Sequence, residues 1–492
     1  MRRDKMNLQK IRTVITTDGE IDDMNSFVRL LLYSNEIELQ GIILTSSIFH
    51  YSGDEFSSAY RWTGETWPLE IIESYAKDYP NLKMHAKDYP TPEYLKDIFF
   101  VGNITAASEM EKITPGSQRI KELILDNDSR KLYLQAWGGT NTIARALKSI
   151  EEEYKDSKDW LVLKKAIEEK VVLYMILEQD DTFQEYIRPI WQLKVISDDM
   201  NFGYFAYGWK NLAEDKKEFF ESEWFKKNII GKGHLLSKYA LIGDGKYIEG
   251  EREEDQFSDS TWLKQHPEFQ RYDFISEGDS LAFLYLLHPS FAGIENPTFG
   301  GWSGRYKLKG DNHFISEAVD YNPNTQRFEQ EYNFIRWLPD VQSDFAARAK
   351  WTISSKFEQA NHYPKIHLTQ TEITAHPGEV IEIHVQVTDP NELPLNYRWW
   401  CYYEASSYWN FENIPLRKEY FDLGEMKFPF SNHSEKITKD WHLKMEGATT
   451  NHVHVYIPQD AKAGDTFHLI FEVSNKCETP LKSYQRIIIT IH

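Results

Sequence analysis

Four carboxylates fall within six residues in the segment Thr16-Thr17-Asp18-Gly19-Glu20-Ile21-Asp22-Asp23. Side chains so close repel one another unless a cation or buried hydrogen bonds offset the charge. Carboxylate oxygens are hard ligands, so Ca2+ or Mg2+ suits them better than zinc or copper. The segment lacks the glycine at position six and the glutamate at position twelve that an EF-hand loop requires. It reads equally as an acidic surface loop entering a helix, where aspartates favour the dipole of the first turn. Trp137-Gly138-Gly139-Thr140-Asn141 supplies glycines for close backbone approach and a Thr hydroxyl or carbonyl within reach of a ligand. It too has a plain reading, as a helix start after a small turn. Glu277-Gly278-Asp279-Ser280 and Gln179-Asp180-Asp181 add further carboxylates, and each could simply cap the helix that follows.

Each cluster closes a predicted strand or opens a predicted helix. The β-branched run Arg12 to Thr17 predicts a first strand, Met24 to Tyr33 an amphipathic helix and Ile37 to Thr45 a second strand ending in a Ser-rich loop. Gln118 to Leu125 reads as a helix, Lys131 to Trp137 as a strand and Thr142 to Leu147 as a helix. Val171 to Leu177 and Leu193 to Ile196 are further strands. This alternation implies a mainly parallel sheet covered by helices on both faces, with ligands at the carboxyl ends of its strands. The acidic clusters could then converge on one edge as an oxygen-only divalent site, able to orient a sugar diol and activate water. After about Lys365 the pattern changes to short strands without helices: Ile381 to Thr388, Tyr397 to Tyr403, Val453 to Ile457, Thr466 to Val473 and Ile487 to Ile491. That suits a β-sandwich, and the chain divides on this reading into domains 1–365 and 366–492. The charge run Glu249 to Asp255 reads as a solvated loop.

The length of 492 residues fits two to four domains at about 150 residues each. A formal net charge of −20 argues against general nucleic-acid binding, which needs cationic surface, and is compatible with metal cations, neutral small molecules or neutral polymers. Two cysteines exclude a disulfide-dense scaffold and leave room for a single Cys401–Cys477 bridge. Apolar stretches such as Leu281 to Leu287 fall far short of the roughly 20 residues that span a bilayer, so no membrane association is expected. Met1 to Lys10 is basic and polar with no apolar core of a signal, which makes a cytoplasmic location the expectation for the chain as given. A homo-oligomer is compatible with the sequence.

Aromatics offer a different reading. Trp62, Trp67 and Trp302 in the first part, and Trp399, Trp400 and Trp409 in the second, could stack on sugar rings as a carbohydrate platform. They could equally be core side chains. In an alternating strand one of Trp399 and Trp400 must point inward, whereas Trp302, set among glycines, suits a pocket wall.

The T-x-D-x-x-x-D-D pattern after the first strand resembles the calcium loop of nucleoside hydrolases, Thr140-Asn141 resembles their L-T-N, and Asp279 matches their late aspartate. Over nearly its full length the chain is similar to bacterial cellulose-binding proteins that join a nucleoside-hydrolase-like domain to a C-terminal β-sandwich. The phrases VRLLLYSNEIELQGIILTSS, AWGGTNTIARAL, EQDD, EGDSLAFLYLL, GGWSGRY, LNYRWWCYYEA and PLKSYQRIIITI carry that resemblance. It implies a Rossmann-like nucleoside-hydrolase-type sheet followed by an immunoglobulin-like sandwich. It also implies Ca2+ held by Asp18, Asp23, Asp279 and the Thr140 carbonyl, Asp18 activating a metal-bound water, and Asp22 binding a sugar hydroxyl. Ser46, Asn141, Gln179, Asp180 and Trp302 are the further expected substrate contacts.

The departures from that pattern concern the nucleoside. Thr16 replaces the first aspartate of the motif, Glu20 stands where the hydrolases have glycine, and Gly278 stands where some have a histidine before the last aspartate. Trp191-Gln192-Leu193 replaces their ribose-contacting pair. Two functions are therefore expected. One is a Ca2+-dependent hydrolase of glycosidic, including N-glycosidic, bonds. The other is a non-catalytic carbohydrate-binding protein that uses the same cleft or the β-sandwich.

Overall fold

In a computed structural model, which describes residues 10–368, 370–411, 414–422, 427–438 and 441–492, the chain separates into two compact units. The first comprises residues 1–287, 308–316 and 351–355; the second comprises 288–307, 317–350 and 356–492. Residues 288–307, 317–350 and 356–365, read from the sequence as part of the first domain, thus fall in the second unit. The amino-terminal segment read for a signal lies, up to residue 9, outside the described residues. No helix among the described residues is long and apolar enough to cross a membrane.

The first unit is built on an eight-stranded sheet. Its strands are β1 (Ile11–Thr17), β2 (Ile37–Leu44), β3 (Phe99–Val101), β4 (Leu132–Ala136), β5 (Val171–Ile176), β6 (Lys194–Asp198), β7 (Lys307–Gly310) and β8 (His313–Ile315). They lie in the order β3-β2-β1-β4-β5-β6-β8-β7, and the pairings from β3 through β6 to β8 are all parallel. β1 is buried from Arg12 onwards, as a β-branched strand with a neighbour on each side must be. On one face, Val14, Leu134 and Leu173 pack against α4 (Pro115–Leu125), α5 (Asn141–Tyr154) and α6 (Trp160–Lys170), which follow α1 (Ile21–Tyr33), α2 (Trp67–His85) and α3 (Pro92–Asp97) in the chain. On the other face, Tyr133 and Tyr174 pack against Tyr285, just beyond the short helix Ser280–Leu284. The chain leaves β1 towards β2 and β3 on one side and returns to β4 on the other. The order therefore reverses between β1 and β4, and a parallel sheet opens a crevice at such a point.

The second unit is rich in strands. Glu372–Ala375, Lys482–Ile491, Thr466–Asn475 and Leu395–Cys401 form one sheet in that order, and Val380–His384, His452–Tyr456 and Met445–Glu446 form another. Ile381, Ile383, Val453 and Val455 of the second sheet share a core with Trp399, Leu469, Phe471 and Ile487 of the first. Trp399 points into that core, while Trp400 lies half-buried on the other side of its strand and donates to Glu472. The expected strand Ile381 to Thr388 is two strands: Val380–His384 pairs with His452–Tyr456, but Gln386–Thr388 pairs with Lys365–His367. Cys401 and Cys477 are both free thiols.

His468 in this unit gives the fold an acid-sensitive point. Its buried Nδ1 accepts from Arg486 at 3.0 Å, and Arg486 also donates to the carbonyls of Phe291 and Phe299. Burial, and then the Arg486 charge, push the imidazole down to about 3. An unfolded histidine takes up its proton near pH 6.5, so between that pH and about 3 the unfolded state holds the extra proton and stability falls as pH falls. From pH 7 to pH 5 this group removes about 2 kcal/mol. Urea melts of His468→Gln are expected to lose that much less stability over the same interval than melts of the unsubstituted protein.

Candidate functional site

Three peptide segments meet where the strand order reverses. The first joins β1 to α1 through only Asp18, Gly19 and Glu20, which puts Asp22 and Asp23 in the first turn of α1, where the helix dipole favours carboxylates. The second joins β4 to α5. Gly138 there approaches Asp18 so closely that a Cβ would lie 2.9 Å from the Asp18 Cβ, and a Cβ on Gly139 would collide with the Asp180 carboxylate and the Ser46 carbonyl. The third is the loop before Ser280–Leu284, which carries Asp279. The buried pair Arg29–Glu277, at 2.6 Å, fixes this loop to α1, and Asn25 donates to the carbonyls of Ser276 and Ala240 at 3.1 Å. Tyr239 and Ser280 also donate to Glu277.

The result is a buried carboxylate cluster. Oxygens of Asp22, Asp23 and Asp279 lie within 4.8 Å of one another. Both oxygens of Asp18, Oδ1 of Asp22 and Oδ2 of Asp279 are buried and receive no hydrogen bond. Asp23 Oδ1 is held by the Thr17 hydroxyl and, at 3.3 Å, by the Asp18 amide. Burial, and then mutual repulsion, raise Asp22, Asp23 and Asp279 well above the usual carboxylate range. Orphaned buried anions on this scale cost several kcal/mol unless protons or a cation offset them. An oxygen-only donor set fits a hard divalent ion such as Ca2+. Asp22 joins Asp23 and Asp279 in this grouping, although the resemblance gave it to the sugar. The Thr140 carbonyl, expected as a ligand, follows Gly138 and Gly139 at the end of β4 and accepts from the Ala144 amide.

Beside the cluster lies a charged network. Glu20 is half-buried, accepts from the Tyr207 hydroxyl at 3.1 Å, and faces Arg61 at 3.6 Å and His50 at 3.8 Å. Glu251 bridges the last two: it pairs with Arg61 at 2.5 Å and with His50 Nε2 at 2.9 Å. Burial would raise Glu251, but His50 and Arg61 outweigh it and hold the carboxyl down at about 2. Burial would lower His50, but the Glu251 hydrogen bond and the Glu20 charge hold it above its usual value. The charge run expected as a solvated loop is therefore solvated only in part, because Glu251 is buried against these partners. His50 and Arg61 carried no local signal, since they lie 201 and 190 residues from Glu251.

The other residues expected at the substrate make hydrogen bonds within the protein. Asp180 accepts from the Thr140 hydroxyl, the Asn141 amide, and the Thr182 amide and hydroxyl at 2.7–3.0 Å. Asn141 donates to Ser46 and to the carbonyls of Asn103 and Glu109, and accepts from Thr45. Ser46 donates to the Ala106 carbonyl, and Gln179 to that of Trp137. These hydrogen bonds hold the β4–α5 turn in shape. Trp302 lies in the second unit, 1% exposed and packed on His288 and Tyr484, so it is a core side chain rather than a pocket wall. Asp180→Ala, which orphans its buried donors, is expected to cost about 3 kcal/mol in denaturant melts while leaving cation affinity within a few-fold.

Comparison with known proteins places the chain. Residues 12–306 match the family described as cellulose-binding Sde182, nucleoside hydrolase-like domain. Residues 380–491 match the C-terminal domain of cellulose-binding protein Sde0182. No curated protein sequence matches it. A solved structure from Saccharophagus degradans, a nucleoside hydrolase-related hypothetical protein associated with carbohydrate metabolism, aligns at a TM-score of 0.70 and 21% identity, covering 98% of this chain and 100% of its own. That likeness establishes a shared fold. The effector protein XOO4466 and the type III effector XopQ, the latter in complex with adenosine diphosphate ribose, each cover 70% of this chain and 94% of their own at 12% and 11% identity. Their TM-scores of 0.36 and 0.35 carry no argument here. With the first match spanning more than half of its length, the chain belongs to the cellulose-binding Sde182 family, whose amino-terminal domain is nucleoside-hydrolase-like.

Proposed function

We propose that the chain is a calcium-dependent hydrolase of glycosidic bonds, N-glycosidic bonds included, acting on a sugar-containing substrate. The observation that carries this reading is the cluster of buried, unpartnered carboxylate oxygens at the point where the strand order reverses. Asp18, Asp22, Asp23, Asp279 and the Thr140 carbonyl would hold the ion. Once bound, Ca2+ supplies a fixed positive charge that orients a sugar diol and makes water more acidic. Asp18, which receives no hydrogen bond from the protein, takes the proton of the attacking water. Glu20, kept in place by Tyr207 and Arg61, accepts a sugar hydroxyl at the edge of the cluster. We also read the second unit as an immunoglobulin-like sandwich, which its two sheets around one core support.

A second reading has its own support. Ser46, Asn141 and Asp180, and the amide nitrogen of Gln179, make hydrogen bonds within the protein, and the family is described as cellulose-binding. The chain would then be a non-catalytic carbohydrate-binding protein. Turnover of a panel of glycosides and nucleosides, together with saccharide calorimetry in calcium and in chelator, separates the two. The hydrolase reading predicts turnover that Asp18→Asn lowers by at least a thousandfold without changing the melting temperature by more than a few degrees. Saccharide binding indifferent to chelator, with no compound turned over, would reject it in favour of binding.

A further inference from the structure

A second cluster of metal-binding side chains lies in the other unit and has different chemistry. Along Val380–His384 and His452–Tyr456, the side chains of Ile381, Ile383, Val453 and Val455 enter the core, so Glu382, His384, His452 and His454 share the opposite face. The antiparallel register sets Glu382 across from His454 and His384 across from His452. His452 Nε2 lies 2.7 Å from Glu382 Oε1, and the rings of His452 and His454 are 4.8 Å apart. One ligand atom from each of Glu382, His452 and His454 lies within 4.8 Å of the other two. His384, with its ring 5.8 Å from that of His452, stands next to them.

A solvated sheet face commonly carries polar residues, and a histidine–glutamate pair there needs no ligand. Here, however, three of the chain's 16 histidines gather on one face around a glutamate. Two imidazoles two residues apart on one strand, with a carboxylate from the facing strand, make three convergent donors of the kind zinc takes. The side chains are exposed or half-buried, so small rotamer changes can draw the donors to the roughly 2.0–2.2 Å of zinc–ligand bonds. Imidazole nitrogen favours a borderline transition-metal ion over calcium, which sets this cluster apart from the all-oxygen one.

We propose that Glu382, His452 and His454 form a binding site for a divalent transition-metal cation, Zn2+ above all, which clips the strands 380–384 and 452–456 together and leaves a coordination position open. His384 is the fourth donor within reach. The proposal is independent of the hydrolase reading, because it shares no residue with the aspartate cluster.

The test uses the full chain without a polyhistidine tag, stripped with chelator and then titrated with ZnCl2 in excess CaCl2. One zinc per chain bound with micromolar or tighter affinity is the expected result. His452→Ala and His454→Ala should each weaken that binding at least tenfold, Glu382→Gln should weaken it less, and Asp279→Asn should leave it unchanged. The changes at Glu382, His452 and His454 lie on a solvated face, and Asp279→Asn keeps the size and shape of a buried side chain in the other unit, so circular dichroism should show every variant folded. An isotherm for the His452→Ala/His454→Ala double variant that matches the unsubstituted protein would overturn the site, as would loss of the zinc signal in Asp279→Asn alone.

Discussion

Asp279→Asn is expected to abolish the response of the protein to calcium and, in chelator, to melt above the unsubstituted protein. Both effects follow from the same charges. Asp22, Asp23 and Asp279 place carboxylate oxygens within 4.8 Å of one another in a buried site with few donors. At about that distance and an effective dielectric of about 20, each ionised pair repels by roughly 3 kcal/mol. Without a cation the cluster relieves this by taking up protons, the direction in which all three are displaced. Asparagine keeps the shape and removes one charge, so the cation-free fold gains. It also removes a ligand, so the gain from calcium, about 2.7 kcal/mol at a hundredfold excess over Kd, disappears. Thermal melts of both proteins in calcium and in chelator check this. A variant that calcium stabilises as strongly as the unsubstituted protein would contradict it.

Arg29→Ala carries the second large effect, on stability and on the site together. Arg29 and Glu277 are both buried and paired at 2.6 Å, and Glu277 also accepts from Tyr239 and Ser280. Removing one partner of a buried pair strands the other, at a cost of about 3–5 kcal/mol. The loss reaches the cluster because Glu277 lies two residues before Asp279, and the pair ties that loop to the helix carrying Asp22 and Asp23. Denaturant melts should show the loss of stability, and calorimetry should show at least tenfold weaker calcium binding. Arg29→Lys, which keeps the charge but not the planar fork, should fall between. Unchanged calcium affinity in a destabilised Arg29→Ala protein would separate the pair from the site.

The sheet was legible because buried parallel strands such as TVITT (13–17) and VVLYMI are continuous apolar or β-branched runs. The acidic segment was legible because four carboxylates in six residues demand compensation wherever they lie. What escaped was pairing at long range. Nothing near Glu251 announces His50 or Arg61, and nothing near Arg29 announces Glu277. The fate of Asp180, Asn141 and Gln179 escaped for a related reason: a polar residue after a strand has the same pattern whether it faces a ligand or caps a turn. Trp302 shows the converse, since glycines on both sides do not keep an indole out of a core. In Ile381 to Thr388, alternation reported which side each residue faces but not which strand it pairs with. The break between the two strands at the buried Val385, whose amide donates to the Asn451 carbonyl, was therefore invisible.

The proposed hydrolase chemistry turns on one ion at one place. Anomalous diffraction from crystals grown in millimolar calcium tests it most directly. A single strong peak bounded by Asp18, Asp22, Asp23 and Asp279 is the predicted result. Featureless density there, with those four side chains bonded only to water, would contradict it.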